Sequence, residues 1–201
     1  MLKVGLTGSI AVGKSYVCEV LRELGAVALD SDRTAREVVE PNTRGWQLIV
    51  ENFGESVLQS DKQIDRVKLG AIIFADEAKR QLLNSIVHPL VFEAQNQWLV
   101  ARETENPQNI AIVDAALMIE SGGYKRFDKL IVVWCKPEIQ LERLMARNNL
   151  SEVEALKRIN AQMPQEEKKR FADYLIDTSE GFEATKLQTI EIFERLRVLY
   201  K

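Results

Sequence analysis

The chain has 201 residues, 46% of them hydrophobic and 28% charged, with a formal net charge of −3. That size suits one domain with appended parts, and the balance excludes a globally disordered chain, while the slight acidity argues against a protein built to hold a nucleic-acid backbone. No apolar run reaches the roughly 18 residues that a membrane span needs.

The first strand is predicted from Leu2 to Thr7, too near the first residue to leave room for a signal peptide. Cys18 and Cys135 lie far apart in apolar runs, which fits buried free thiols in a reducing compartment, so a cytoplasmic location is expected. After the first strand, Val17, Val20, Leu21 and Leu24 recur at helical spacing until Gly25 stops them, and Ala26 to Leu29 is a second strand closing on Asp30. Strand, helix, strand in thirty residues implies a βαβ unit and a parallel sheet. From Thr34 to Arg102 the patterns are mostly helical, with breaks expected at Gly54, Asp61 and Pro89, which is too long for an ordinary crossover and reads as a helical insertion. Continuous apolar runs at Ile110 to Val113 and Leu130 to Trp134 have the texture of central parallel strands. Pro137 opens a helix through Arg147, a charged helical stretch covers Ser151 to Phe171, and Tyr174 to Ile176 is a last short strand. An amphipathic helix from Phe182 to Tyr200 closes the chain. Five strands and an α/β three-layer fold are the expected architecture.

The stretch "GLTGSIAVGKSY" places Gly8, Gly13, Lys14 and Ser15 in the spacing GxxxxGK(S/T), between a strand and a helix. Glycines let successive backbone N–H groups curve around an anionic oxygen, and the following helix aims its positive end at the same anion. Lys14 then brings a charge to the β and γ phosphates and Ser15 a hydroxyl to Mg²⁺. A GTPase would carry a DxxG switch and an NKxD base-reading motif, and neither occurs in a suitable place. Instead Asp30 and Asp32 stand at the carboxyl end of the second strand, where such folds bind ligands. A carboxylate there can orient an acceptor hydroxyl and take its proton, and the plainer alternative for Asp32 is a helix N-cap. Asp114, after the third strand, has a Walker B-like placement and suits Mg²⁺ through water.

The ordered series "LDSDRTAREVVEP", "DRVKLGAIIFAD", "LLNSIVHPLV", "IVDAALMIESG", "LERLMARNNLS" and "YLIDTSEG" resembles the dephospho-CoA kinase family over nearly the whole chain. The resemblance implies a P-loop kinase fold with a five-stranded parallel sheet, a helical acceptor-binding insertion and a lid, and transfer of phosphate from ATP to the 3′-hydroxyl of dephospho-CoA. It implies a core of residues 1–33, 105–136 and 172–201, an insertion of 34–104 and a lid of 137–171. Asp32 matches the proposed base, and Asp30, Arg66, His88 and Glu120 match acceptor-side positions, with a packing role as the alternative for His88. Gly8, Ala11, Val12, Gly13, Lys14, Ser15, Tyr16 and Arg143 fall on the nucleotide side. Arg147 matches the lid arginine that meets the transferred charge. Arg143 and Arg147 lie four apart and share a helix face, for which a solvated surface is the alternative. Mg²⁺ and ATP are implied as cofactor and co-substrate, with no nucleic acid, membrane or obligatory protein partner.

The chain departs from the family pattern at several places. Ser9, Ala11 and Val12 replace a more glycine-rich loop, Tyr16 replaces a usual threonine, Ala115–Ala116 stands where a proline is common, and Thr178 stands where asparagine is frequent.

Overall fold

The computed structural model describes residues 1–199, so the predicted end of the last helix at Tyr200 lies outside the described residues. The chain divides into two compact units, one formed by Met1–Asp30 with the chain from Ala101 onward, the other by Ser31–Val100.

The first unit is built on five parallel strands: β1 (Leu2–Gly8), β2 (Val27–Asp30), β3 (Ile110–Asp114), β4 (Lys129–Trp134) and β5 (Tyr174–Asp177). Their order is β2-β3-β1-β4-β5. Leu6 therefore lies opposite Asp114 and Ile131, and Asp30 lies opposite Asp114. Because side chains alternate across a strand, Leu2, Val4 and Leu6 enter one core with Ile110, Ile112, Ile131 and Val133. Helices α1 (Lys14–Glu23) and α9 (Gly181–Val198) close that core with Val17, Leu21, Ile192, Phe193 and Leu196. Each such side chain contributes on the order of 1.5–3 kcal/mol when fully buried. On the opposite face, Gly5 leaves the space that the Met118, Leu130 and Phe127 side chains occupy.

Three helices of this unit lie between β4 and β5: α6 (Pro137–Asn148), α7 (Glu152–Asn160) and α8 (Gln165–Lys169). Proline at the first position of α6 needs no N–H partner, and Asn149 ends that helix in the left-handed conformation. Ser151 and Glu154 form a reciprocal capping box at the start of α7.

The second unit contains α2 (Ser31–Glu37), α3 (Arg44–Phe53), α4 (Arg66–Ala75) and most of α5 (Glu77–Glu105). Thr43 caps α3 by accepting from the Trp46 N–H at 3.2 Å, and Asp65 caps α4 by accepting from the Val67 and Lys68 N–H groups. Ile49, Val57, Ile64, Leu69 and Ile86 form the unit's own core.

Two expectations are corrected. Pro89 does not break the chain's helical course: α5 runs through it, because the apolar positions on both sides, Ile86 and Val91, are buried on one continuous helix. A proline there only forgoes the bond to the Ser85 carbonyl. Asp32 is not an N-cap either, since α2 begins one residue earlier, at Ser31, and Asp32 lies inside its first turn.

Candidate active site

The phosphate loop joins the end of β1 to the start of α1. Gly13 holds φ +86° and Ala11 holds φ +61°. The left-handed region suits glycine, whereas for a residue with a Cβ it costs about 1–2 kcal/mol, so Ala11 is a strained position. Gly8 is required by close approach: a Cβ there would lie 2.5 Å from the Val133 carbonyl oxygen, a backbone atom that cannot swing aside. Gly8→Ala is therefore expected to reduce the unfolding free energy by about 1–3 kcal/mol, read from urea denaturation, and to weaken nucleotide binding in the same protein. Val12 is buried beneath the loop, and the Ser9 hydroxyl is buried without a hydrogen-bond partner among the described residues. An orphaned hydroxyl in a loop of amides is a feature that an anion's oxygens can satisfy.

Lys14 opens α1, and its ammonium forms an ion pair and hydrogen bond with Asp114 at the end of β3. Both side chains are largely buried, so the pair is shielded from salt screening. Ser15, next along the helix, is exposed. Cys18 lies one turn further on, where burial, reinforced by the Asp114 charge, pushes its thiol up to about 11. Burial also pushes the Cys135 thiol up. Both cysteines are free and buried, as the apolar runs around them suggested.

Among the described residues, no group of three or more His, Cys, Asp or Glu side chains could hold a metal by themselves. What stands around the loop is the Ser15 hydroxyl of α1 and the Asp114 carboxylate at the end of β3, hard oxygen donors few in number. That set fits Mg²⁺, which usually keeps several waters and is bound through one or two protein groups and the phosphates of its substrate.

Arg143 is not on a solvated face. Its guanidinium donates to the Thr178 hydroxyl and to the Thr178 carbonyl, each at 2.8 Å. The Thr178 hydroxyl in turn donates to the Val12 carbonyl at 2.7 Å. The departure at Thr178 therefore ties β5's outgoing loop to the phosphate loop and carries Arg143 with it, and the nearest Arg143 nitrogen lies 3.6 Å from where a Cβ on Gly13 would be. Arg147, one turn later, is exposed and donates to Asn148 at 2.9 Å. Tyr16 packs edge-on against Phe182 at the start of α9, with ring centroids 4.8 Å apart.

Glu120 has an intramolecular partner that sequence reasoning missed. Lys168 on α8, with a fully buried side chain, pairs with Glu120 at 2.8 Å and donates to the Ala116 carbonyl at 3.0 Å. The Met163 N–H also donates to Glu120, at 3.4 Å. Lys168→Met removes the ammonium that makes both contacts, with little change in volume. We expect the variant to lose about 1–3 kcal/mol of stability, measured by chemical denaturation. In sequence Lys168 is one of a run of charged residues and carries no local mark of burial.

The remaining acceptor-side residues belong to the second unit, apart from Asp30 at the exposed end of β2. Asp32 is exposed in the first turn of α2, Arg66 is the exposed first residue of α4, and His88 lies on α5 with its ring 6.2 Å from that of Phe92.

The family model described as dephospho-CoA kinase matches residues 2–183. A dephospho-CoA kinase of Oceanobacillus iheyensis is 45% identical over 199 residues, covering 98% of each chain. Among solved structures, the dephospho-CoA kinase from Campylobacter jejuni superposes with a TM-score of 0.74 at 27% identity, covering 98% of this chain and 97% of that one. The protein TT1252 from Thermus thermophilus gives 0.82 at 26% identity, with 96% of each chain covered. With a parallel five-stranded sheet, a phosphate loop after its central strand and kinship along nearly its whole length, the chain belongs to the dephospho-CoA kinase family.

Proposed function

We infer that this protein is an ATP-dependent kinase that transfers the γ-phosphate to the 3′-hydroxyl of dephospho-CoA, forming coenzyme A in the last step of its synthesis. The observation that carries the reading is the 45% identity to a dephospho-CoA kinase across 98% of both chains.

The roles of individual residues are part of the proposal. The loop from Gly8 through Gly13 receives the phosphates with its amides, aided by Ala11, Val12 and the α1 residues Ser15 and Tyr16. Lys14 exchanges Asp114 for the β and γ phosphate oxygens when ATP enters, which holds the chain of phosphates in line. Ser15, with Asp114 acting through water, would hold Mg²⁺, which when bound neutralises charge on the phosphate oxygens. Asp32 orients the acceptor hydroxyl and takes its proton as the new bond forms. Asp30, Arg66, His88 and Glu120 bind the acceptor, and Glu120 does so from a carboxylate that Lys168 already anchors. Arg143 meets the nucleotide from its perch on Thr178, and Arg147 closes on the transferred charge. Residues 34–104 would then be the acceptor-binding insertion and 137–171 the lid, whose closure keeps water from intercepting the phosphoryl group. No covalent phosphoenzyme, nucleic acid or protein partner enters this scheme, and among the described residues no helix is long and apolar enough to cross a membrane.

An acceptor panel tests the reading. ADP release from MgATP is expected with dephospho-CoA and not with shikimate, nucleosides or nucleoside monophosphates. Preference for one of those acceptors would move the chain to another small-molecule kinase class.

A further inference from the structure

Ile10 lies in the middle of the phosphate loop, and both polar groups of its backbone are held by glutamine side chains from outside the loop. Its N–H donates to Gln162 Oε1 at 2.8 Å, and its carbonyl accepts from Gln140 Nε2 at 2.8 Å. Gln140 projects from α6 and is 2% exposed; Gln162 lies in the turn between α7 and α8. The bonds continue beyond the loop. Gln140 Oε1 accepts from Gln165 Nε2 at 2.8 Å, and Gln165 Oε1 accepts from the Cys135 N–H at 3.1 Å, just past β4. Reversing Gln140 or Gln165 would set acceptor against acceptor or donor against donor, so the relay has one sense.

The next residue gives this relay its purpose. Ala11 holds φ +61°, a conformation that a residue with a Cβ keeps only when its surroundings impose it. Gln140 holds the carbonyl of the Ile10–Ala11 peptide that enters that strained position, and Gln162 holds the N–H of the Ser9–Ile10 peptide just before it, so both torsions of Ile10 are fixed from outside. The net worth of a hydrogen bond or two is of the size such strain requires. Helix α8, which follows the turn that carries Gln162, is itself fixed to the sheet, through Gln165 just past β4 and through Lys168 at the Ala116 carbonyl beyond β3.

We propose that Gln162 and Gln140 are positioning residues for phosphoryl transfer, which clamp the two peptides on either side of the Ile10 α-carbon and so hold the strained loop in its phosphate-binding form. The proposal rests on the kinase reading above. The two residues touch the loop rather than the reacting atoms, and they link the order of the α7–α8 turn to the affinity of the loop for ATP.

The test is equilibrium binding of ATP and steady-state kinetics for the native chain, Gln162→Ala, Gln140→Met, Ala11→Gly and the Ala11→Gly/Gln162→Ala pair. Gln162 is partly exposed in a turn, so its variant keeps the fold and decides the matter should Gln140→Met fail to fold. Gln162→Ala is expected to raise the Kd for ATP about three- to tenfold, while the KM for dephospho-CoA stays within about twofold. In the Ala11→Gly background, where the strain is gone, the same substitution is expected to cost less. An unchanged Kd in folded Gln162→Ala overturns the relay, as does an undiminished loss in the Ala11→Gly background or an equal loss of ATP and acceptor affinity. Native protein that binds no ATP overturns the kinase reading and the relay with it, which separates that failure from failure of the relay alone.

Discussion

Lys14→Met is expected to lower kcat/KM for ATP by about 10²–10³-fold, the range seen when one preorganised donor to a developing negative charge is removed. The substitution keeps the length and apolar stem of the side chain and deletes only the ammonium. In the protein that ammonium is already held at the mouth of the sheet by Asp114, between the end of β3 and the start of α1, so it needs little reorganisation to meet an incoming phosphate. Removing it has a second consequence: the largely buried Asp114 carboxylate loses the Lys14 ion pair in the nucleotide-free protein. Both effects fall on the nucleotide side, so the KM for dephospho-CoA should change far less than turnover. Steady-state kinetics with each substrate varied in turn separates them. Turnover within about threefold of the native rate would remove the ammonium from the mechanism.

Asp32→Asn is expected to lower kcat by about 10²–10⁴-fold, the worth of general acid–base catalysis, while ATP affinity stays near native. Asparagine keeps the shape and can still hydrogen-bond an acceptor hydroxyl, but it cannot take the proton. The alternative reading of Asp32 as a helix cap is no longer available, because α2 starts at Ser31. A non-catalytic Asp32 would still add a favourable charge in the first turn of a short helix, worth about 0.3–1 kcal/mol to stability. That role predicts a small fall in melting temperature and an unchanged rate. The two outcomes differ by orders of magnitude in kcat, so a single-turnover experiment distinguishes them.

The strands and the phosphate loop could be read from the sequence because their signals are local. A run such as Leu2 to Thr7 or Ile110 to Val113 states its own burial, and Gly8, Gly13, Lys14 and Ser15 lie within eight consecutive residues. Pro89 was misread because a local rule about proline yields to a long helix whose apolar residues on both sides are buried. What supports the loop was not legible for a different reason. Ile10 and Gln162 are separated by 152 positions, and Val12 and Thr178 by 166. Gln140, Gln162 and Gln165 look in sequence like polar positions of solvated helices, and Lys168 like one charge among several. Their roles exist only after β4 has been laid beside β1 and β5 beside β4. Thr178 is a partial exception: its departure from the family pattern marked the position, though not the bonds it makes to Arg143 and Val12.

The reaction itself is tested by the product formed from MgATP and dephospho-CoA, resolved by mass and by the position of the new phosphate. Coenzyme A is the expected product, with the added phosphate on the 3′-oxygen of the ribose and one ADP released for each molecule formed. Phosphate on any other oxygen, or ATP bound with no transfer to dephospho-CoA, would contradict it.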